Sequence, residues 1–311
     1  MFNSPKRPSG PLLGRFIRDA IVPWRFRTGG SARARLMPLL KSRVDVEFAL
    51  QHAPIHERFP FELVGNDLAL TIIHEPRRGQ PTTVTHQQLR SWAMTFDDAL
   101  QLAGRNLAAR RIVFQPLDSV YVFAARDGYD ATRLLMAESL LESLGSHGAW
   151  IAAIPHPNLC VIGDAEDETS LEQTVALLMT GLEQKERVSF LAFQLSGDEW
   201  HTWLPPITSQ SYQRFKWMRT VEMAVAYQRQ ADHKQAPNGE APAVEWAQID
   251  CIKDLSDDLV TCCWWSQGDV SLLPKTDLIT VSGARNPVGI ATCRWDDVIQ
   301  VAGRLFKPQG W

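Results

Sequence analysis

Residues 120–163 read VYVFAARDGYDATRLLMAESLLESLGSHGAWIAAIPHPNLCVIG, and this stretch decides the fold class of the chain. A short apolar run, Val120–Phe123, leads into the acidic, glycine-containing corner at 126–130 and then into apolar residues at helical spacing. The helical pattern ends at Gly145, as helices commonly do, and two more apolar runs flank residues 155–157. A strand, a helix and a strand pair in this order predict an α+β fold.

Helical and strand-like patterns alternate on both sides of this stretch. We predict mixed and antiparallel sheets with helices packed on one face. The elements expected are a helix over 36–50, a hairpin around Gly65-Asn66-Asp67, helices capped by Thr85 and by Thr95 with Asp98, strands on either side of 116–119, an acid-opened helix over 164–184 and a strand over 188–195. Beyond 206, a helix over 209–230 precedes four strands and a closing helix.

The chain divides into three predicted segments. Residues 1–35 form a basic arm with a short amphipathic helix, residues 36–206 form an α+β domain, and residues 207–311 form a second α+β unit. The run from Ile154 to Val161 is similar to the run from Leu273 to Val281, since each places a Pro and then an Asn or Asp before an apolar strand. Either a strand-turn-strand-helix unit is used twice or the similarity is coincidental.

The distribution of charge distinguishes the arm from the rest of the chain. The 311 residues carry a net charge of −3, yet residues 1–43 hold ten Lys or Arg residues and one acid. A basic arm on an acidic body predicts docking on that body, on a protein partner or second copy, or on nucleic acid or an anionic membrane through residues 6–35. The candidate binding residues are Arg15, Arg18, Trp24, Arg25 and Arg27.

Composition limits the environment of the protein. Apolar residues make up 45% of the chain and charged residues 22%, which is typical of a folded globular protein. The five cysteines show no C-x-x-C spacing, and no secretory signal pattern is present, so we expect a reducing cytoplasm. No apolar run approaches the roughly 18–20 residues that a transmembrane helix requires.

The corner after Phe123 holds the first candidates for catalysis. Asp127 and Asp130 lie within one helical turn, and His156 could join them in an acid–base or metal-assisted hydrolytic site. The alternative is structural: Asp127 as helix N-cap with Asp130 in the first turn would satisfy free N–H groups, and Arg126 or Arg133 could pair with either acid.

Signature motifs of common enzymes are absent from the sequence. It contains no G-x-G-x-x-G, no G-x-x-x-x-G-K-[ST] and no G-x-S-x-G, which argues against nucleotide-binding and α/β-hydrolase folds. No cofactor and no metal are predicted. The leading interpretation is a non-enzymatic protein-interaction or adaptor module, and the question of an enzymatic activity stays open.

Three sequence blocks, in order, resemble a known family. They are Thr83-Val84-Thr85 with Trp92 and Phe96-Asp97-Asp98, then Asp127-Gly128-Tyr129-Asp130-Ala131-Thr132-Arg133, then Ile154-Pro155-His156 with Asn158-Leu159 and Ile162-Gly163-Asp164. This pattern resembles the YtpQ-like family of uncharacterised bacterial proteins, over roughly residues 40–206. The resemblance implies a cytoplasmic bacterial α+β domain. It implies no catalytic residues, because that family has no established activity.

Overall fold

The computed structural model describes residues 34–137, 141, 149–196, 199–235, 245–254, 258–266, 271–283 and 290–303. The predicted arm helix and its binding residues Arg15, Arg18, Trp24, Arg25 and Arg27 lie outside this description. Within it, six α-helices and sixteen strands confirm the α+β class. Contacts divide the chain into two units, 1–215 and 216–311. No helix in the described residues is long and apolar enough to cross a bilayer.

The first sheet contains β1 (Leu36–Ser42), β2 (Glu62–Val64), β3 (Leu68–His74) and β4 (Thr82–Thr83), with β3 pairing antiparallel to the other three. The predicted hairpin between β2 and β3 is confirmed. The helix predicted over 36–50 is wrong for its first seven residues, which form β1. Residues 36–42 pair with β3 through their backbone, and side chains on both faces of β1 are buried by packing. The helix that follows, α1, spans Arg43–His52.

Two helices begin where the local sequence predicts. The side chains of Thr85 and Thr95 accept bonds from the N–H groups of Gln88 and Asp98, and each of these residues bonds back to its Thr. Both predicted caps are therefore capping boxes, at the starts of α2 (His86–Ser91) and α3 (Phe96–Ala108). The buried residues of α3 pack against β1 and β3.

The second sheet has six strands in the order β10-β9-β7-β8-β6-β5, with every neighbouring pair antiparallel. Its strands are β5 (Phe114–Leu117), β6 (Val120–Phe123), β7 (Trp150–His156), β8 (Leu159–Asp164), β9 (Ala192–Ser196) and β10 (Glu199–Trp203). The sequence predicted no strand between 195 and the end of this domain at 206. Instead, β10 pairs with β9 and buries Trp200 to 1% exposure, so the sheet extends one strand further.

Helix α4 (Glu168–Met179) packs on one face of the six-stranded sheet, against β6, β7 and β8. It approaches closely at Gly163, where an added Cβ would lie 2.5 Å from Thr174 Oγ1 and 2.7 Å from Ser170 Oγ. Residues of the two sheets and of α3 share one apolar core with the 3-10 helix Thr132–Met136. This core holds in place the corner that leads from β6 into that 3-10 helix.

The unit 216–311 begins within α5 (Tyr212–Gln235) and contains a two-stranded and a four-stranded sheet. The four-stranded order is β12-β13-β15-β16, and its central pair, β13 and β15, is parallel. The strands are β11 (Glu245–Trp246), β12 (Ile249–Lys253), β13 (Leu259–Ser266), β14 (Ser271–Leu272), β15 (Leu278–Ser282) and β16 (Ile290–Arg294), followed by α6 (Trp295–Ala302).

The two proline-containing runs that resembled a repeat are paired differently. Strands β7 and β8 form an antiparallel hairpin, whereas β14 pairs with β11 and β15 with β13 and β16, in separate sheets. The duplicated strand-turn-strand unit is therefore not present in the described residues. The similarity reflects a common use of proline beside strands, and the partner of each strand is determined by more distant residues.

Candidate functional site

The corner after β6 folds back on itself before the 3-10 helix begins. The chain takes left-handed conformations at Arg126, with φ of +55°, and at Gly128, with φ of +85°, a region that favours glycine. Asp130 accepts hydrogen bonds from the preceding backbone N–H groups of Ala125, at 3.1 Å, and Arg126, at 2.7 Å. Asp130 therefore closes the corner. The 3-10 helix, which starts only after Ala131, has no side-chain cap; the two acids instead accept from backbone N–H groups within the corner, and Asp127 Oδ1 accepts from the N–H of Tyr129 at 3.2 Å.

Arg133 joins the two acids of the corner. Its side chain is fully buried, and its Nη1 donates to Asp127 Oδ1 at 2.7 Å and to Asp130 Oδ1 at 2.9 Å. Its Nη2 donates to Asp127 Oδ2 at 2.8 Å, so the contact with Asp127 is bidentate. The expectation that Arg133 can pair with either acid is confirmed, and it pairs with both.

Residues distant in sequence extend this ion pair. Glu75, just after β3, accepts from the hydroxyl of Tyr129 and from Arg110, which follows α3. The Arg110 guanidinium carbon lies 4.8 Å from the centre of the Tyr129 ring, and Nη1 lies 3.8 Å from Asp127 Oδ2. We call these six residues the Arg133 cluster: Glu75, Arg110, Asp127, Tyr129, Asp130 and Arg133.

The cluster changes the acidity of its members. Burial opposes ionisation of Asp127, but the hydrogen bonds and charge of Arg133 outweigh it and hold the pKa of Asp127 below its usual value. Burial raises the pKa of Asp130, although N–H donors and Arg133 act against the rise. Burial and the bond to Glu75 raise the pKa of Tyr129, so its phenol stays protonated as a donor.

His156 lies at the end of β7, beside the corner. Its Nδ1 accepts from the backbone N–H of Asn158 at 3.3 Å, while Asn158 Oδ1 accepts from the backbone N–H of Gly128 at 2.7 Å. Burial lowers the pKa of His156, and the charge of Asp130 raises it in part. The hairpin turn between β7 and β8 is thus tied to the corner, and the imidazole takes part in that turn.

The geometry brings Asp127, Asp130 and His156 into one region but engages them in structural contacts. Both Asp127 oxygens accept from Arg133, and both Asp130 oxygens accept from backbone N–H groups or from Arg133. Within the described part of the chain, no three His, Cys, Asp or Glu side chains are grouped so as to hold a metal ion. A metal or substrate at either carboxylate would therefore compete with the buried guanidinium of Arg133, and at Asp130 also with backbone N–H groups.

Sequence reasoning missed Glu75, Arg110 and Asn158 as parts of this site. Glu75 lies 54 residues before Tyr129 and Arg110 lies 35 residues after Glu75, so local spacing carries no signal of their contact. The local signal in this region, an arginine three residues after an acid, leads to Arg133 and not to these three residues.

Comparison with known proteins shows similarity to uncharacterised bacterial proteins. The chain is 30% identical over 103 residues to the UPF0354 protein lmo1608 of Listeria monocytogenes serovar 1/2a. It has the same identity over the same length to the UPF0354 protein Lm4b_01619 of Listeria monocytogenes serotype 4b. The match covers 31% of this chain, and the chain spans only 38% of the length of each relative. No family model matches the chain, and no solved structure matches it significantly.

Proposed function

We propose that this protein is a non-enzymatic protein-interaction module, an adaptor whose basic arm recruits a partner. The observation that carries the proposal is the state of the corner: the two aspartates that could serve catalysis are both bonded to the buried Arg133. A general base or a metal ligand needs a lone pair directed at the ligand. Here those lone pairs hold together β6, the 3-10 helix and the end of α3.

The Arg133 cluster supports the proposal as a scaffold. It fixes segments from three parts of the chain, because Glu75 follows β3, Arg110 follows α3 and Arg133 lies in the 3-10 helix. We propose that this buried charge network specifies one arrangement of the three segments more than it adds stability. A rigid body of this type suits a protein that presents surfaces to a partner.

The uneven charge supports a role for the arm. Eight of the 32 basic residues fall in the arm, positions 1–35, which contains one acid, and the rest of the chain is acidic overall. Such an arm associates quickly with an acidic partner through long-range attraction, which salt weakens. We propose a cytoplasmic setting and membership of the YtpQ-like family; the partial similarity to the UPF0354 proteins supports an uncharacterised bacterial family.

The experiment compares three forms of the protein in affinity capture from a bacterial extract. The forms are the full chain, a chain that begins at Leu36, and a full chain with Arg15, Arg18, Arg25 and Arg27 replaced by Gln. A protein partner captured by the full chain alone, and released by salt, supports the proposal. If all three forms captured the same proteins, the arm would have no role in recruiting a partner.

Two other activities are outcomes of the same set of measurements. The full chain can be tested for salt-dependent binding to DNA, RNA or anionic vesicles. If it binds and the arginine-to-glutamine variant does not, the arm binds a polyanion and not a protein partner. Stoichiometric metal in the purified protein, with hydrolytic activity lost in Asp127→Asn, would establish the metal-assisted hydrolase at Asp127, Asp130 and His156 instead.

A further inference from the structure

Among the described strands, β16 forms an outer edge of the four-stranded sheet of the second unit. It pairs with β15 in a continuous antiparallel register over five residues, without a bulge. Four of its five side chains are exposed, and Ile290 is exposed to 53%. An outer strand of this kind offers a row of backbone donors and acceptors to any other strand.

Other outer strands of the described sheets carry features that discourage pairing. Pro116 lies within β5, and Asp250 and Lys253 lie on β12. Proline and charge on an edge are the usual means by which proteins prevent edge-to-edge association. In contrast, the residues of β16 from 290 to 293 are Ile, Ala, Thr and Cys, and its sole charge is the final Arg294.

Helix α6 places apolar side chains beside this edge. It follows β16 directly and packs over β15 and β16, with Trp295 and Val298 in contact with the core around Cys263 and Ile279. Ile299 and Val301 are exposed to 38% and 89%. At 100° per residue they lie on opposite sides of the stripe formed by Trp295 and Val298, so each side of that stripe carries an exposed apolar side chain.

We infer that β16 is a self-association edge, at which a second copy of this chain pairs antiparallel through its own β16. Strands in a sheet are about 4.8 Å apart, so a helix over β15 and β16 would lie about 10 Å from its symmetry mate across the new pair. Packed helices are about 8–10 Å apart. A second copy therefore supplies both a strand for the edge and an apolar helix for the exposed residues of α6.

The sequence of β16 is compatible with this twofold pairing. A symmetry axis at Thr292 places Ile290 opposite the partner's Arg294 and Ala291 opposite the partner's Cys293. The two arginines are then about 14 Å apart along the strands, further than the roughly 8 Å over which charges interact strongly in physiological salt. Pairing of a surface with itself closes at two chains and leaves no β16 edge open.

The test is the mass of the full chain in solution, measured by light scattering during size exclusion over a range of concentrations. We expect about twice the 35.0 kDa of one chain. Ala291→Lys and Val301→Lys, both at exposed positions, should each shift the mass toward 35.0 kDa with an unchanged circular dichroism spectrum. The matched control is Ile252→Lys, on the outer strand β12, which should stay dimeric.

The inference would be overturned if the unaltered protein had the mass of a single chain. It would also be overturned if Ala291→Lys and Val301→Lys both remained dimers, or if Ile252→Lys dissociated as much as they do. This self-association rests on the proposed interaction role, because it names a second copy of the chain as one partner. The two proposals can nevertheless fail independently. The chain that begins at Leu36 should remain a dimer even where it captures no partner. Loss of the dimer in that chain would place self-association in the arm and contradict the role of β16.

Discussion

Replacement of Arg133 by Met tests the energetic role of the cluster. Met keeps most of the buried volume but removes the four hydrogen bonds that Arg133 donates, to Asp127 twice, to Asp130 and to the carbonyl of Arg111. Asp130, which has no solvent exposure, is then left as a buried charge beside Asp127. Breaking a buried ion pair on one side costs about 3–5 kcal/mol.

The assay is urea and thermal unfolding of the purified chain, followed by circular dichroism. For a unit of this size each kcal/mol corresponds to about 2–4 °C, so we expect the melting temperature to fall by roughly 6–20 °C. Arg126→Met is the matched control. Arg126 is an exposed arginine of the same corner, and its replacement should change stability by less than about 0.5 kcal/mol.

A second variant separates loss of charge pairing from loss of packing. Adding Asp127→Asn and Asp130→Asn to Arg133→Met removes the uncompensated charges, so part of the lost stability should return. The guanidinium is not the centre of this network if the free energy of unfolding of Arg133→Met is within about 1 kcal/mol of that of the unaltered chain. The same conclusion follows if the two Asn changes lower the stability further.

Three further predictions concern neighbouring features. Gly163→Ala should lower stability by about 1–3 kcal/mol in urea unfolding, because the new Cβ would meet Thr174 and Ser170; no loss would mean that α4 shifts freely on the sheet. Thr95→Ala should cost about 1 kcal/mol in the same assay through loss of the capping box, and a neutral result would contradict the cap. The pKa of Asp127 is lowered in the folded protein, so its contribution is present above the unfolded pKa and lost as pH falls through the folded pKa. Acid unfolding profiles should show a weaker loss in Asp127→Asn, and identical profiles would refute this assignment.

Local chemistry predicted the elements whose signals lie within a few residues. The capping boxes at Thr85 and Thr95 and the hairpin at Gly65 need only neighbours three or four positions away. Such contacts form from adjacent residues whatever the rest of the chain does, which is why their sequence patterns are reliable.

Contacts between residues distant in sequence explain the features that the sequence patterns did not predict. Residues 36–42 are compatible with a helix by spacing but become β1, because β3 lies beside them. Asp127 and Asp130 have the spacing of helix caps, yet their partners are Arg133 and backbone N–H groups of the corner, tied to Glu75 through Arg110. Sequence spacing drew attention to these two acids, but it could not give their partners, since the partners depend on which segments meet.

The most direct test of the central claim is thermal unfolding of the unaltered chain and of Asp127→Asn, each with EDTA and with excess Mg²⁺, Mn²⁺ or Zn²⁺. If the cluster is a structural ion network, metals leave both melting temperatures unchanged. Asp127→Asn then melts at a lower temperature than the unaltered chain in every buffer. A metal at 100 times its dissociation constant would add about 2.7 kcal/mol to the folded state. A rise in the melting temperature of the unaltered chain with metal, absent in Asp127→Asn, would contradict the account and make the corner a metal site.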